Sequence, residues 1–227
     1  MTVILLRHGR STSNTAHTLA GRSLGVDLDE KGLEQADAVV DRIGELPIRA
    51  LVSSPLLRCR RTLGPLAGKL GLEPVIDDRL TEVDYGEWTG RKLSELASES
   101  LWSVVQQQPS AAVFPGGEGL AAVQSRAVCA VREHDRRLAE EDGGSDVLWV
   151  ACTHGDVIKS VVADALGLHL DSFQRITADP ASMSVIRYTP HRPFVVHVNH
   201  TGATLAVALS APPPAQTGDA TVGGSTD

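Results

Sequence analysis

Aromatic side chains are scarce: Phe, Trp and Tyr together make up 4% of the 227 residues. Any core must be built mainly from Leu, Val, Ile and Ala, and at 42% hydrophobic residues the chain has enough for one sizeable domain. Cysteine is equally sparse. Cys59, Cys129 and Cys152 form an odd set without metal-ligand spacing, which argues against a disulfide scaffold or a zinc module. Positive charge is in deficit, with 21 Lys and Arg against 28 Asp and Glu and a net charge of -7. A broad polyanion-binding face is therefore not expected, although a local pair of arginines can still hold one phosphate. No apolar stretch approaches transmembrane length, and the opening "TVILL" is too short for a secretory signal and runs into Arg7. A reduced, cytoplasmic protein with neither nucleic acid nor membrane as partner is expected. No Gly-x-Gly-x-x-Gly follows the first strand, "GEGLAAVQ" lacks a Walker lysine, and no Asp and His cluster at strand ends. Dinucleotide, P-loop and two-metal chemistry are thus disfavoured, and neither a metal nor a cofactor is expected.

What the chain does have is alternation. "TVILL" predicts a strand buried on both faces. "DEKGLEQADAVVDRIGEL" predicts a helix with Asp29 as N-cap and Leu33, Ala36, Val40 and Ile43 as its apolar stripe. "RALVSS" predicts a short strand, and "SPLLRCRRTLGPLAGKLG" a helix capped by Ser54 with Pro55 in its first turn, kinked or divided at Gly64 and Pro65. "LEPVIDD" is extended. A more helical excursion runs over about 90–140, broken by the Pro- and Gly-rich "PSAAVFPGGEG". "DVLWVACTH" is a second strongly apolar strand, "DVIKSVVADALGL" a helix, and "SMSVIRYTP" and "FVVHVNHTG" two late strands. The pattern is α/β, with a mixed or largely parallel sheet covered by helices, in one domain over 1–210. Residues 211–227, with little to bury, are expected to be disordered. No internal repeat is evident.

Two strands end in a histidine and a glycine, "ILLRHG" and "VACTHG". Ligands in open α/β sheets bind beyond the carboxyl ends of the strands, so parallel neighbours would bring His8 and His154 to one site. Arg58 sits one turn into the helix after "VSSP", whose N-terminus opens at the same edge and favours an anion. Arg60 and Arg61 cannot share its direction, and Arg58 is the one expected to point inward.

These segments resemble those of the histidine phosphatase superfamily, which includes the cofactor-dependent phosphoglycerate mutases. "LLRHG" followed by "STSN", then "SSPLLRCRRT", "TEVDYGEWTG" and "CTHG" occur in the order of that family's motifs, and the resemblance covers about residues 2–200. It implies a three-layer α/β/α sandwich with a mixed, mostly parallel sheet. It also implies that His8 accepts the phosphoryl group, that Arg7, Arg58, Asn14 and a protonated or donating His154 hold the phosphate, that Glu82 donates the leaving-group proton, and that His8, Glu82 and His154 are the catalytic set. Asp84 and Glu87 are rivals to Glu82 that spacing alone does not exclude. On this reading Gly9 lets the backbone come close to the phosphate.

Hydrolysis and mutase chemistry both start at His8. A mutase needs further cations for the rest of its substrate, yet after Arg91 and Lys92 no Arg or Lys occurs from Leu93 to Gly119. The expected activity is therefore hydrolysis of a small phosphorylated metabolite. A phosphomutase, or a non-catalytic phospholigand-binding protein, is the alternative. Arg10, Arg22 and Arg175 are the residues that could restore the missing charge. An apolar late strand could also pair with its copy in a homodimer.

Overall fold

A computed structural model describes residues 1–143, 146–202 and 223. Its elements are β1 (Thr2–Arg7), α1 (Thr12–Thr15), α2 (Glu30–Ile43), β2 (Ile48–Ser53), α3 (Leu57–Leu70), β3 (Val75–Ile76), α4 (Leu93–Leu96), α5 (Ser100–Gln107), α6 (Leu120–Glu141), β4 (Leu148–Thr153), α7 (Gly155–Ala165), β5 (Met183–Tyr188) and β6 (Pro193–His200). The sheet has six strands in the order β3-β2-β4-β1-β5-β6. β3, β2, β4 and β1 run parallel, and β5 and β6 are antiparallel additions at one side.

Every residue of β1 is buried, as a strand covered on both faces requires. Alternate side chains go to opposite layers. Val3 and Leu5 join Trp149 and Ala151 of β4 under α6 and α7. Ile4 and Leu6 join Val150 and Cys152 under α2 and α3. The result is the expected three-layer α/β/α sandwich with a mixed, mostly parallel sheet. The excursion over about 90–140 is helical, and Leu96, Val105 and Phe114 tie it to the α6 and α7 side of the core.

Local expectations fare unevenly. Asp29 caps α2, accepting from the Gly32 N–H at 2.8 Å. The buried stripe of α2, however, is Gly32, Ala36, Val39 and Ile43, while Leu33 is 39% exposed. A glycine takes the first core position because the helix start lies against the loop after β1: a Cβ on Gly32 would come within 2.0 Å of the Arg10 carbonyl oxygen. α3 passes through Gly64 and Pro65 undivided. The carbonyl that Pro65 deprives of a partner is that of exposed Arg61, where water can take over. Ser54 does not cap α3, whose N-cap is Leu56 without a side-chain bond. The expectation of disorder over 211–227 falls outside the described residues, Gly223 apart. Among the described residues no helix is long and apolar enough to cross a membrane.

Candidate active site

β1 and β4 are in register, Arg7 opposite Thr153, and β2 pairs Ser53 with Cys152. The ladder continues past the strand ends: His8 N–H donates to the Thr153 carbonyl at 3.0 Å and Ser54 N–H to the Cys152 carbonyl at 2.9 Å. Ser54, His154 and His8 therefore stand at the carboxyl ends of three adjacent strands. The imidazole centroids are 5.2 Å apart, edge to face.

Hydrogen bonds settle where the ring protons sit. His8 Nδ1 lies 2.7 Å from the Gly9 carbonyl oxygen. A carbonyl only accepts, so Nδ1 carries the proton and Nε2 a lone pair. Arg58 Nε donates to that lone pair at 3.3 Å. Arg58 Nη2 donates to the Gly21 carbonyl at 2.8 Å and approaches His154 Nδ1 at 3.2 Å. His154 Nε2 meets Ser54 Oγ at 2.8 Å. Burial first, then the charge of Arg58, holds both histidines well below the usual imidazole range, so both are neutral. Arg58 is buried, and its Nη1 has no hydrogen-bond partner among the described residues. Arg60 and Arg61 face solvent, as expected.

Arg7, His8, Asn14, Arg58 and Glu82 line one pocket. Arg7 donates to the Ala178 carbonyl at 2.7 Å and, through Nη2, to the Gly223 carbonyl at 3.1 Å. Ser11 donates to Asn14 Oδ1 from both its backbone N–H (2.9 Å) and its hydroxyl (2.7 Å). The Asn14 NH₂ is thereby set as the group available to an anion. His154 does not line the pocket. It stands beside Arg58, with Nδ1 3.2 Å from Arg58 Nη2.

Glu82 is buried and accepts from the Val83 N–H at 3.0 Å. Burial and the neighbouring Asp156 raise its pKa to about 7, outweighing Val83, Arg58 and Arg7. Its rivals lie elsewhere: Asp84 accepts from the Gly86 N–H and faces Arg22, and Glu87 is exposed. Arg22 donates to the Glu82 carbonyl at 3.0 Å and pairs with Glu118 at 2.8 Å, while Arg10 pairs with Asp29 at 2.6 Å. Neither they nor Arg175 line the pocket, whose only cations among the described residues are Arg7 and Arg58.

Four contributors escape sequence reasoning. Ser54 reads as a cap. Thr62 accepts from the Gly9 N–H at 2.8 Å and donates to the Arg58 carbonyl at 2.7 Å, which locks α3 to the end of β1. Tyr85 lines the pocket and donates to buried Asp156 at 2.8 Å. Asp156 follows "CTHG" directly, which was the available signal. Gly9 has a packing reason as well: a Cβ there would come within 2.7 Å of the Gly32 carbonyl oxygen. Its absent side chain admits the start of α2.

Comparison with known proteins agrees with this geometry. The family model of the histidine phosphatase superfamily (branch 1) matches residues 3–201. Phosphoserine phosphatase 1 of Hydrogenobacter thermophilus is 28% identical over 204 residues, 88% of this chain and 92% of that protein. A protein of Erwinia tasmaniensis named "probable phosphoglycerate mutase GpmB" is 31% identical over 185 residues, 80% of this chain and 82% of its own. The solved structure of mycobacterial glucosyl-3-phosphoglycerate phosphatase has a TM-score of 0.78 at 26% identity, covering 88% of this chain and 99% of that one.

Proposed function

The chain belongs to the histidine phosphatase superfamily (branch 1), and from that membership we propose that it hydrolyses small phosphomonoesters through a phosphohistidine on His8. The observation that carries this reading is the 2.7 Å contact of His8 Nδ1 with the Gly9 carbonyl, which leaves Nε2 as a rigidly held lone pair in the pocket of Arg7 and Arg58. The arginines and the Asn14 amide offset the phosphate charge, most strongly as its equatorial oxygens spread in the transition state. His154 joins them from the end of β4, where its Nδ1 lies 3.2 Å from Arg58 Nη2. Nε2 bonds to phosphorus as the P–O bond to the alcohol breaks, and Glu82 gives its proton to the departing oxygen. The Glu82 carboxylate then takes a proton from a water that attacks the phosphohistidine. The N–P bond breaks, and phosphate leaves with His8 and Glu82 restored.

A module that merely binds phosphate needs Arg7 and Arg58. It needs neither a free ring nitrogen nor an acid whose pKa lies near neutrality. Mutase activity would demand that a second anionic group be held, and Arg7 and Arg58 are both committed to the first. On the same reading the substrate is a small metabolite in a reducing cytoplasm, consistent with the free thiols of Cys59 and Cys152. The exposed Phe194, Val196 and Val198 on edge strand β6 support a homodimer formed along it, which sedimentation velocity checks. The deciding experiment follows phosphate release from a panel of esters, phosphoserine and sugar phosphates among them, alongside 3-phosphoglycerate isomerisation on one preparation. Release should dominate without an activator. Isomerisation faster than release, and stimulated by 2,3-bisphosphoglycerate, would overturn the hydrolase reading.

A further inference from the structure

We propose that Asn199, on edge strand β6, is a positioning residue for Arg7: its side-chain amide holds the peptide group between Ala178 and Asp179, whose carbonyl aims the Arg7 guanidinium at the phosphate pocket. The inference rests on Arg7 being a phosphate-binding group, as in the proposed function.

The argument turns on one peptide group held from both sides. Arg7 Nη1 donates to the Ala178 carbonyl at 2.7 Å. The N–H of the same peptide group, that of Asp179, donates to Asn199 Oδ1 at 2.7 Å. A peptide group is planar, so fixing the direction of its N–H fixes that of its carbonyl. Asn199 Nδ2 also donates to Asp179 Oδ2 at 2.7 Å, so one side-chain amide grips residue 179 at two points. Turning that amide over would set its NH₂ against the Asp179 N–H and its oxygen against the carboxylate, so its orientation is fixed. Charge runs the same way: burial works against the Arg7 cation, and Glu82, Asp179 and Asp156 offset it.

A β-bulge delivers Asn199 to this place. β6 pairs His197 with Val185 and His200 with Met183, so Val198 and Asn199 stand against the single Ser184. Asn199 has a φ of +55°, which asparagine tolerates better than most residues, and its N–H donates to Ser184 Oγ at 3.2 Å. Opposite it, residues 179–182 form a β-turn closed by the Ser182 N–H on the Asp179 carbonyl at 2.9 Å. Ala181, third in that turn, has a φ of +57°, which a type II turn usually gives to glycine. A turn with that strain keeps its shape only through its contacts. The Ala181 N–H donates to the His8 carbonyl at 3.1 Å, the Ala181 carbonyl accepts from Arg42 Nη1 at 2.7 Å, and the Arg7 N–H donates to the Ser182 carbonyl at 3.0 Å. The turn is thus stitched to the end of β1 by backbone, and Asn199 sets its first peptide relative to the Arg7 side chain.

Calorimetric titration with inorganic phosphate tests this without turnover. Arg7→Ala should weaken phosphate binding strongly, and Asn199→Ala about tenfold, the scale of a hydrogen bond to a charged group. In the Arg7→Ala background Asn199→Ala should weaken it no further, because its effect passes through that guanidinium. Equal weakening in both backgrounds would make Asn199 merely structural and overturn the proposal. Unchanged binding in Asn199→Ala would also overturn it, while the Arg7→Ala loss left the proposed function standing. No loss in Arg7→Ala would end both. Should Asn199→Ala fail to fold, an exchange replaces it. Asn199→Asp sets two carboxylates face to face and should weaken phosphate binding. Adding Asp179→Asn rebuilds both hydrogen bonds with amide and acid reversed, and should restore it. An exchanged protein that folds without regaining phosphate binding refutes the positioning role.

Discussion

Arg58 and His8 are joined nitrogen to nitrogen: the guanidinium Nε donates over 3.3 Å to the imidazole Nε2, the one ring atom that the Gly9 carbonyl leaves without a proton. A cation donating to a nucleophile's lone pair dulls it. On the proposed mechanism, a phosphate dianion entering the pocket would compete for the same guanidinium and free the lone pair as it arrives, making binding and activation of the nucleophile one event.

The phosphoryl group should therefore be found on Nε2 of His8, never on Nδ1. Rapid-quench labelling followed by phosphorus NMR of the alkaline-stable adduct distinguishes the two isomers. His8→Ala should carry no label. An Nδ1 adduct would mean that the Gly9 contact breaks during turnover, and label persisting in His8→Ala would end the phosphohistidine mechanism.

Glu82 makes a second expectation, with two readouts of opposite sense. Its pKa is raised from 4.5 to about 7, first by burial and then by Asp156. kcat/KM on alkyl phosphates should hold below about 7 and fall above it as the acid loses its proton, whereas p-nitrophenyl phosphate, which leaves without help, should respond less. Glu82→Gln should show the same ordering of losses. Between 4.5 and 7 the native state binds more protons than the unfolded chain, so this group's contribution to stability declines as pH rises through that window. Glu82→Gln should thus gain stability relative to the unsubstituted protein at pH 8 but not at pH 4. A pH-independent difference in melting temperature would show that the carboxyl titrates normally.

The strand-end histidines were legible because a strand buried on both faces is written as an unbroken apolar run, and its end is then marked by the first polar residues. Arg58 was legible because adjacent residues of a helix point apart. Ser54 was not, since a serine before a proline and a helix has a local use as a cap that the sequence always offers. Its actual partner, His154, is 100 residues away. Leu33 was misplaced for a related reason: helical spacing admits two stripes in α2, and the choice fell to the backbone contact of Gly32 with Arg10, which no periodicity records. Long-range pairings of this kind depend on strand order, which the chain does not display locally.

Arg126 on α6 should matter to the acid although it does not line the pocket. It donates to the carbonyls of Arg79 at 2.6 Å and Glu82 at 3.2 Å and pairs with Glu118 at 2.6 Å. Glu118 in turn accepts from the Asp84 N–H at 2.9 Å, so both ends of the Glu82 segment are braced from one guanidinium. Arg126→Ala should cost about 2 kcal/mol of stability and lower the melting temperature by about 5 °C. kcat on alkyl phosphates should fall more than kcat on p-nitrophenyl phosphate. Equal effects on both esters would reduce Arg126 to a structural role.

The last expectation concerns Arg7. Its Nη2 donates to the Gly223 carbonyl at 3.1 Å, and the Gly223 N–H donates to Asp156 Oδ2 at 3.1 Å. Gly223 lines the pocket with a φ of +82°, a conformation that a side chain would strain. A neutral carbonyl competes weakly with a phosphate dianion for a buried guanidinium, and on the proposed function this one holds an Nη2 proton that Arg7 could otherwise offer to a phosphate oxygen. A chain ending at Val222 should accordingly bind inorganic phosphate a few-fold more tightly, on the scale of one displaced hydrogen bond, and show a lower KM with kcat unchanged. Calorimetric titration with phosphate measures the first effect independently of turnover. Weaker phosphate binding by the shortened chain would mean that Gly223 completes the site instead of competing for it.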